Sequence, residues 1–235
     1  LFSVRYYFDE VTPDNLEPEG IDLPGFSYYD TQNGFHIYKN DYALPMGFTF
    51  DTYVSRSQWE TYSESDRCNL LLRALVLEDD AVETYQDDMQ KLPDAVPQMS
   101  DEDLLAECTE RAKTACDSFT YNSKGFHATI STDHANLVFF SVPWEEGWSA
   151  EVNGEPVAIE KADVGFMAVP VAAGDSEITF TYHTPGLKAG ALLSLGGLVL
   201  FAGYLTVAGI WNKRHPNPKT ESICCVDYST EETAN

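Results

Sequence analysis

The chain has 235 residues, 14 Lys+Arg against 38 Asp+Glu, and a formal net charge of −24. Such a surface repels nucleic acid and other polyanions over most of its extent, so a nucleic-acid partner is not expected. All of the excess is in residues 1–187, with 10 basic against 34 acidic side chains, while 188–235 balances at 4 of each.

In chain order, Leu1–Phe8 reads as a strand and the acidic, proline-bearing stretch 9–25 as a loop. Gly25–Tyr29 and Gly34–Lys39 read as a hairpin turned at Asn33-Gly34. Gly47–Ser55 alternates with period two and predicts one strand, with Phe48, Phe50, Thr52 and Val54 on one side. Ser65–Leu77 reads as a helix with Leu71, Leu72, Leu75 and Val76 as its stripe, and 78–98 as a loop containing a short helix. Ser100 followed by Asp103 is a capping-box variant. It predicts a helix to about Cys116 with Leu104, Leu105, Cys108, Ala112 and Ala115 on one face.

From Phe119 the pattern changes to short strands: 125–131, 137–142, 148–153, 155–161, 166–170 and 176–183. Asn153-Gly154 is a hairpin signal between two of them. Six strands at this spacing predict an antiparallel, jelly-roll-like β-sandwich. Ala189–Trp211 then runs for 23 residues without a formal charge, where about 20 apolar residues suffice to cross a bilayer. Lys213, Arg214, His215 and Lys219 follow, so the positive-inside rule puts the tail in the cytoplasm and residues 1–187 outside. A buried core helix is the alternative, and the sparse polar positions, Ser194 and Thr206, argue against it.

The expected fold class is α+β, mainly β. The boundaries are a mixed α/β outer region 1–117, an antiparallel sandwich 118–187, a transmembrane helix 188–212 and a cytoplasmic tail 213–235. An outward domain that opens on Leu1 needs upstream targeting, so residue 1 is read as an internal position of a longer membrane protein.

Among the five cysteines, Cys224 and Cys225 fall in the tail and Cys68, Cys108 and Cys116 outside. Cys108 and Cys116 lie about 12 Å apart along a helix and cannot bridge each other; either can pair with Cys68. No Cys/His spacing suggests a metal. The acidic run Glu78-Asp79-Asp80 with Glu83 offers hard oxygen ligands but lacks the spacing of a calcium loop. His36, His127, His134 and His183 have no partners at catalytic spacing, and no nucleophile or phosphate-loop motif is present.

The residues that combine aromatic faces with carboxylates are Trp144, Glu145, Glu146 and Trp148. An aromatic face matches the C–H face of a pyranose, which makes this turn a candidate carbohydrate-binding site; packing in the sandwich is the competing reading for Trp148. The two glutamates are neighbours on one loop and do not make a glycosidase pair.

Three stretches, Asn40–Phe48, Ser141–Gly154 and Ile178–Leu187 with a membrane helix directly after it, together resemble the C-terminal end of the YfhO family of bacterial multi-span membrane proteins. The resemblance implies a parent with many upstream helices and an architecture like glycosyltransferases that use polyprenyl-phosphate sugars. Such proteins decorate cell-wall polymers such as lipoteichoic acid in Gram-positive bacteria. The family's expected catalytic carboxylate lies near the parent's N-terminus, so no catalytic residue and no cofactor is assigned to this chain. Its implied partners are the upstream helices, the membrane and a cell-wall glycan. The alternative is a cell-surface carbohydrate- or protein-binding module without an enzymatic parent.

Overall fold

The computed structural model describes residues 3–93 and 99–215. It divides into two units, 1–184 and 185–235.

Among the described residues the first unit holds three sheets and four short helices. Strands β1 (Tyr6–Glu10), β2 (Phe26–Gln32) and β3 (Phe35–Asn40) form a small antiparallel sheet in the order β1-β3-β2. Its hairpin turns at Asn33-Gly34, both in left-handed conformation (φ 54° and 82°), as a two-residue primed turn requires. One face is covered by the 11–24 loop, where Tyr38 Oη donates to the Glu19 carbonyl and His36 is held by Thr31 and the Asn15 carbonyl. The other face leaves Tyr6, Phe8 and Tyr29 41–59% exposed.

Gly47–Ser55 is not the single strand that its alternation predicts. It breaks into β4 (Phe48–Thr49) and β5 (Thr52–Ser55), which lie far apart in a seven-stranded sheet. Phe48 and Phe50 share a core with Tyr53, whereas Val54 packs on the opposite face with Trp59. Helices α1 (Arg56–Thr61) and α2 (Glu64–Leu70) follow. The second differs from the helix expected over 65–77: Leu75–Leu77 is strand β6, paired in parallel with β5. All three of its residues are buried, Leu75 and Leu77 in one core and Val76 in the other. A strand covered on both faces reads as a continuous apolar run, which periodicity does not separate from a buried helix. Helix α3 (Asp79–Tyr85) supplies the short helix expected in 78–98, and β7 (Gln90–Lys91) adds to the edge of the sheet. The rest of that stretch, 94–98, lies outside the described residues.

Helix α4 (Asp101–Ala112) starts at the predicted capping box. Ser100 Oγ accepts from the Asp103 amide (3.2 Å) and Asp103 Oδ2 accepts from the Ser100 amide (3.0 Å). The helix stops four residues earlier than expected, and Ala112 is exposed while Arg111 is buried in its place. Arg111 donates to the carbonyls of Thr49 and Leu72 and lies over the Phe50 ring, so its guanidinium ties the helix to the sheet.

The remaining strands are β8 (Ser118–Asn122), β9 (Gly125–Thr132), β10 (Asn136–Pro143), β11 (Trp148–Val152), β12 (Glu155–Val157), β13 (Glu160–Ala162), β14 (Phe166–Val171) and β15 (Gly174–Tyr182). The seven-stranded sheet has the order β4-β10-β14-β13-β6-β5-β7, and the third sheet the order β12-β11-β15-β9-β8. The stretch predicted as one strand over 155–161 is two, β12 in the third sheet and β13 in the seven-stranded one. The chain changes sheets at Ala158-Ile159, as corners of packed sheets do.

Strand β10 shows how the layers meet. Val138 and Phe140 face a core shared with Phe126, Ile178 and Phe180 of the third sheet, while Leu137 and Phe139 face the core under α3 and α4. The seven-stranded sheet is therefore the middle layer, and the sandwich is its β10–β14 part with the third sheet. This is the expected mainly-β class with an antiparallel sandwich. The middle layer takes strands from both sides of residue 117.

Among the described residues the second unit holds helix α5 (Leu187–Arg214). Its 28 residues and mean hydropathy of 2.0 over an 18-residue window make it long and apolar enough to cross a membrane. At 1.5 Å per residue it is about 42 Å long, against about 30 Å of hydrocarbon. None of that window is buried against the rest of the described chain. Lys213 and Arg214 occupy its last turn.

Candidate functional site: two adjoining cavities at the Trp144–Trp148 turn

The turn between β10 and β11 is fixed by backbone pairing. Trp144 N donates to the Gly165 carbonyl (2.9 Å), Trp148 N to the Glu145 carbonyl (3.1 Å), and His183 N to the Gly147 carbonyl (2.8 Å). Gly147 is there for space: a Cβ would stand 2.5 Å from the Tyr182 ring and 2.6 Å from the His183 carbonyl oxygen.

All four predicted residues, Trp144, Glu145, Glu146 and Trp148, line one cavity of about 350 Å³, with Pro156, Val157 and Ile159 on its far side. Both indoles are half-buried and both carboxylates exposed. The Lys161 ammonium sits 3.9 Å from the centre of the Trp144 ring, a cation–π contact that covers one face of that indole. Trp148 packs as well as lines: its ring lies 5.0 Å from Tyr182, 5.6 Å from Phe126 and 6.1 Å from Phe180.

A larger cavity of about 690 Å³ shares Glu145 and Trp148 with the smaller one. Met46, Phe119, Phe126, Val142 and Trp148 form its walls. Its rim carries the β8–β9 turn, Asn122–Gly125, with Asn122 Oδ1 accepting from the Lys124 amide (2.7 Å), and the Glu145 carboxylate, which accepts from Tyr182 Oη (3.3 Å). Partial burial, and then the Glu145 charge, push the Tyr182 phenol above its ordinary value. Sequence reasoning passed over this cavity because its walls come from four separate stretches. The exposed Tyr121 beside an Asn-Ser-Lys-Gly turn was the available signal.

Among the described residues no group of three or more His, Cys, Asp and Glu side chains is placed to hold a metal. In the acidic run, Asp79 accepts from the Ser57 amide and hydroxyl (3.2 and 2.9 Å), a helix–helix link. His127 pairs with Glu177 on the surface (2.8 Å). Cys68, Cys108 and Cys116 are free thiols, with Cys68 exposed and the Cys116 thiol pushed up to about 12, mainly by burial.

Residues 95–194 match the family model described as bacterial membrane protein YfhO. The chain is 30% identical over 121 residues to the uncharacterized protein YfhO of Bacillus subtilis (strain 168), an alignment that takes in 52% of this chain and 13% of that relative's length. No solved structure matches the chain.

Proposed function

We propose, for a chain whose residues 95–194 match the model of the bacterial membrane protein YfhO, the role of an extracytoplasmic accessory domain of a multi-span glycosyltransferase. The parent would draw on a polyprenyl-phosphate sugar and decorate a cell-wall polymer such as lipoteichoic acid. The domain presents the acceptor glycan and performs no chemistry itself. The observation that carries this reading is the cavity that gathers Trp144, Glu145, Glu146 and Trp148. An indole supplies the flat apolar face that a pyranose ring stacks on, and the carboxylates accept from its hydroxyls. The charge of −24 disfavours a bare polyanion, so a neutral or cation-bridged stretch of polymer is the better fit to this surface.

The test is the sugar content of cell-wall polymers in cells lacking the parent gene, complemented with the intact gene or with a Trp144→Ala/Glu146→Gln version. The intact gene restores the sugar of one polymer, and the double variant restores it several-fold less at equal membrane abundance. Equal restoration would remove the glycan role from this cavity, and no sugar change on deletion would remove the glycosyltransferase reading. The exposed ring pairs Tyr6–Tyr29 and Phe8–Phe35 on the first sheet favour a second reading, a module that binds a protein at the cell surface.

The orientation that places 1–187 outside rests on the basic residues after the span. It predicts that, in intact cells, a membrane-impermeant maleimide labels the chain at Cys68. Cys224 and Cys225 react only after permeabilisation. Cys116 stays unlabelled near pH 7.5, because a thiol at about 12 is almost wholly protonated. Labelling of the tail in intact cells would invert the topology.

A further inference from the structure

The larger cavity is chemically unlike the glycan candidate beside it. Met46, Phe119, Phe126, Val142 and Trp148 offer a sugar hydroxyl almost nothing to bond, while they match a hydrocarbon chain. At about 690 Å³ the space is large enough for a small-molecule tail. Its rim is polar and carries both signs of charge. Among the described residues the Lys124 side chain, on an exposed turn, forms no ion pair. Glu145 on the same rim uses one carboxylate oxygen on Tyr182. Only His183–Gly186 separate Tyr182, at the edge of the cavity, from Leu187, the first residue of the candidate span. The site is thus tethered by four residues to a helix suited to a bilayer.

We infer that this cavity binds one acyl chain of a membrane phospholipid whose headgroup carries both a phosphate and a primary ammonium, the phosphate meeting Lys124 and the ammonium meeting Glu145. A purely anionic headgroup is disfavoured by the surrounding negative charge. A headgroup with both signs satisfies both rim residues. An apolar cleft flanked by complementary charges selects an amphiphile, where an apolar cleft alone would select only a hydrocarbon.

The experiment uses the full chain reconstituted in phospholipid vesicles, with acyl chains brominated near their midpoint and tryptophan emission as the readout. Trp211 lies in the span and is quenched by any brominated bilayer, so Trp211→Phe is the working background. Brominated phosphatidylethanolamine is expected to quench that protein several-fold more than the Trp148→Phe/Trp211→Phe control, and several-fold more than brominated phosphatidylglycerol does at the same density. Lys124→Glu, at an exposed position that leaves the fold intact, should remove most of the headgroup preference. Equal quenching with and without Trp148 would overturn the inference and leave a peptide as the better occupant. Equal quenching by the two lipids, or no effect of Lys124→Glu, would overturn it as well. Trp144 and Glu146 do not line this cavity, so failure here and failure of the glycan reading are separate results.

Discussion

Replacing Asp163 by Asn is expected to stabilise the protein by about 3 kcal/mol at pH 8 and to change little at pH 4 and below. Asp163 lies between β13 and β14 in a left-handed conformation (φ 45°) and is 4% exposed. Its Oδ1 accepts from the Val76 amide (2.9 Å), its own amide donates to the Val76 carbonyl (2.9 Å), and its Oδ2 has no partner. Burial therefore raises the carboxyl from 3.8 to about 7, against the smaller opposing effect of the Val76 hydrogen bond. Because the folded state holds this proton more tightly than the unfolded chain, the contribution is fully present below pH 4. It is lost as pH rises toward 7 and constant above that. A shift of about three units corresponds to roughly 4 kcal/mol at 1.36 kcal/mol per unit, and the somewhat smaller expected effect allows for relaxation around a buried charge. Asn keeps the acceptor for Val76 and has no charge to bury. The check is the difference in unfolding free energy between the two proteins in detergent, measured from pH 4 to 8. A difference that stays flat across that range would mean the carboxyl is not held neutral.

The second large effect is expected at Gly125. A Cβ there would collide with the carbonyl oxygen of Phe180 on the paired strand, a backbone atom that moves only with β15 itself. Gly125→Ala should cost about 3 kcal/mol, at the upper end of overpacking effects. It should also loosen the Phe126–Phe180 stack, whose ring centres are 4.4 Å apart. Gly154→Ala is the contrast. Gly154 has φ 82° but open space around it, so only the conformational penalty of about 1–2 kcal/mol applies. Equal losses at the two positions would show that the crowding at Gly125 is relieved without moving the strand. Because Gly125 and Phe126 belong to the wall of the larger cavity, Gly125→Ala should also reduce the lipid-dependent quenching of Trp148.

Local signals carried over well where one short-range interaction decides the structure. Asn33-Gly34 and Asn153-Gly154 make their turns because few other pairs accept two positive φ angles. Ser100 and Asp103 close their capping box because the partners are three residues apart. The charge-free run before Lys213 becomes one long helix because apolar length is all that a span requires. The failures share a different cause. Leu75–Leu77 and Gly47–Ser55 were misread because the faces that bury them belong to distant strands. Burial of Arg111 in place of Ala112 depends on carbonyls of Thr49 and Leu72, which no helical periodicity contains.

The sequence by itself therefore determined the class, the hairpins, the apolar helix and the pairing of two tryptophans with two glutamates in one turn. These follow from backbone preference and from residues close together in the chain. Only the tertiary structure decided that the middle sheet is covered on both faces, that Asp163 is sealed away from water, and that Glu145 and Trp148 line two cavities at once. Each of these brings together strands that are dozens of residues apart. Burial and cavity shape belong to the packed assembly of those strands, so no single stretch of sequence displays them.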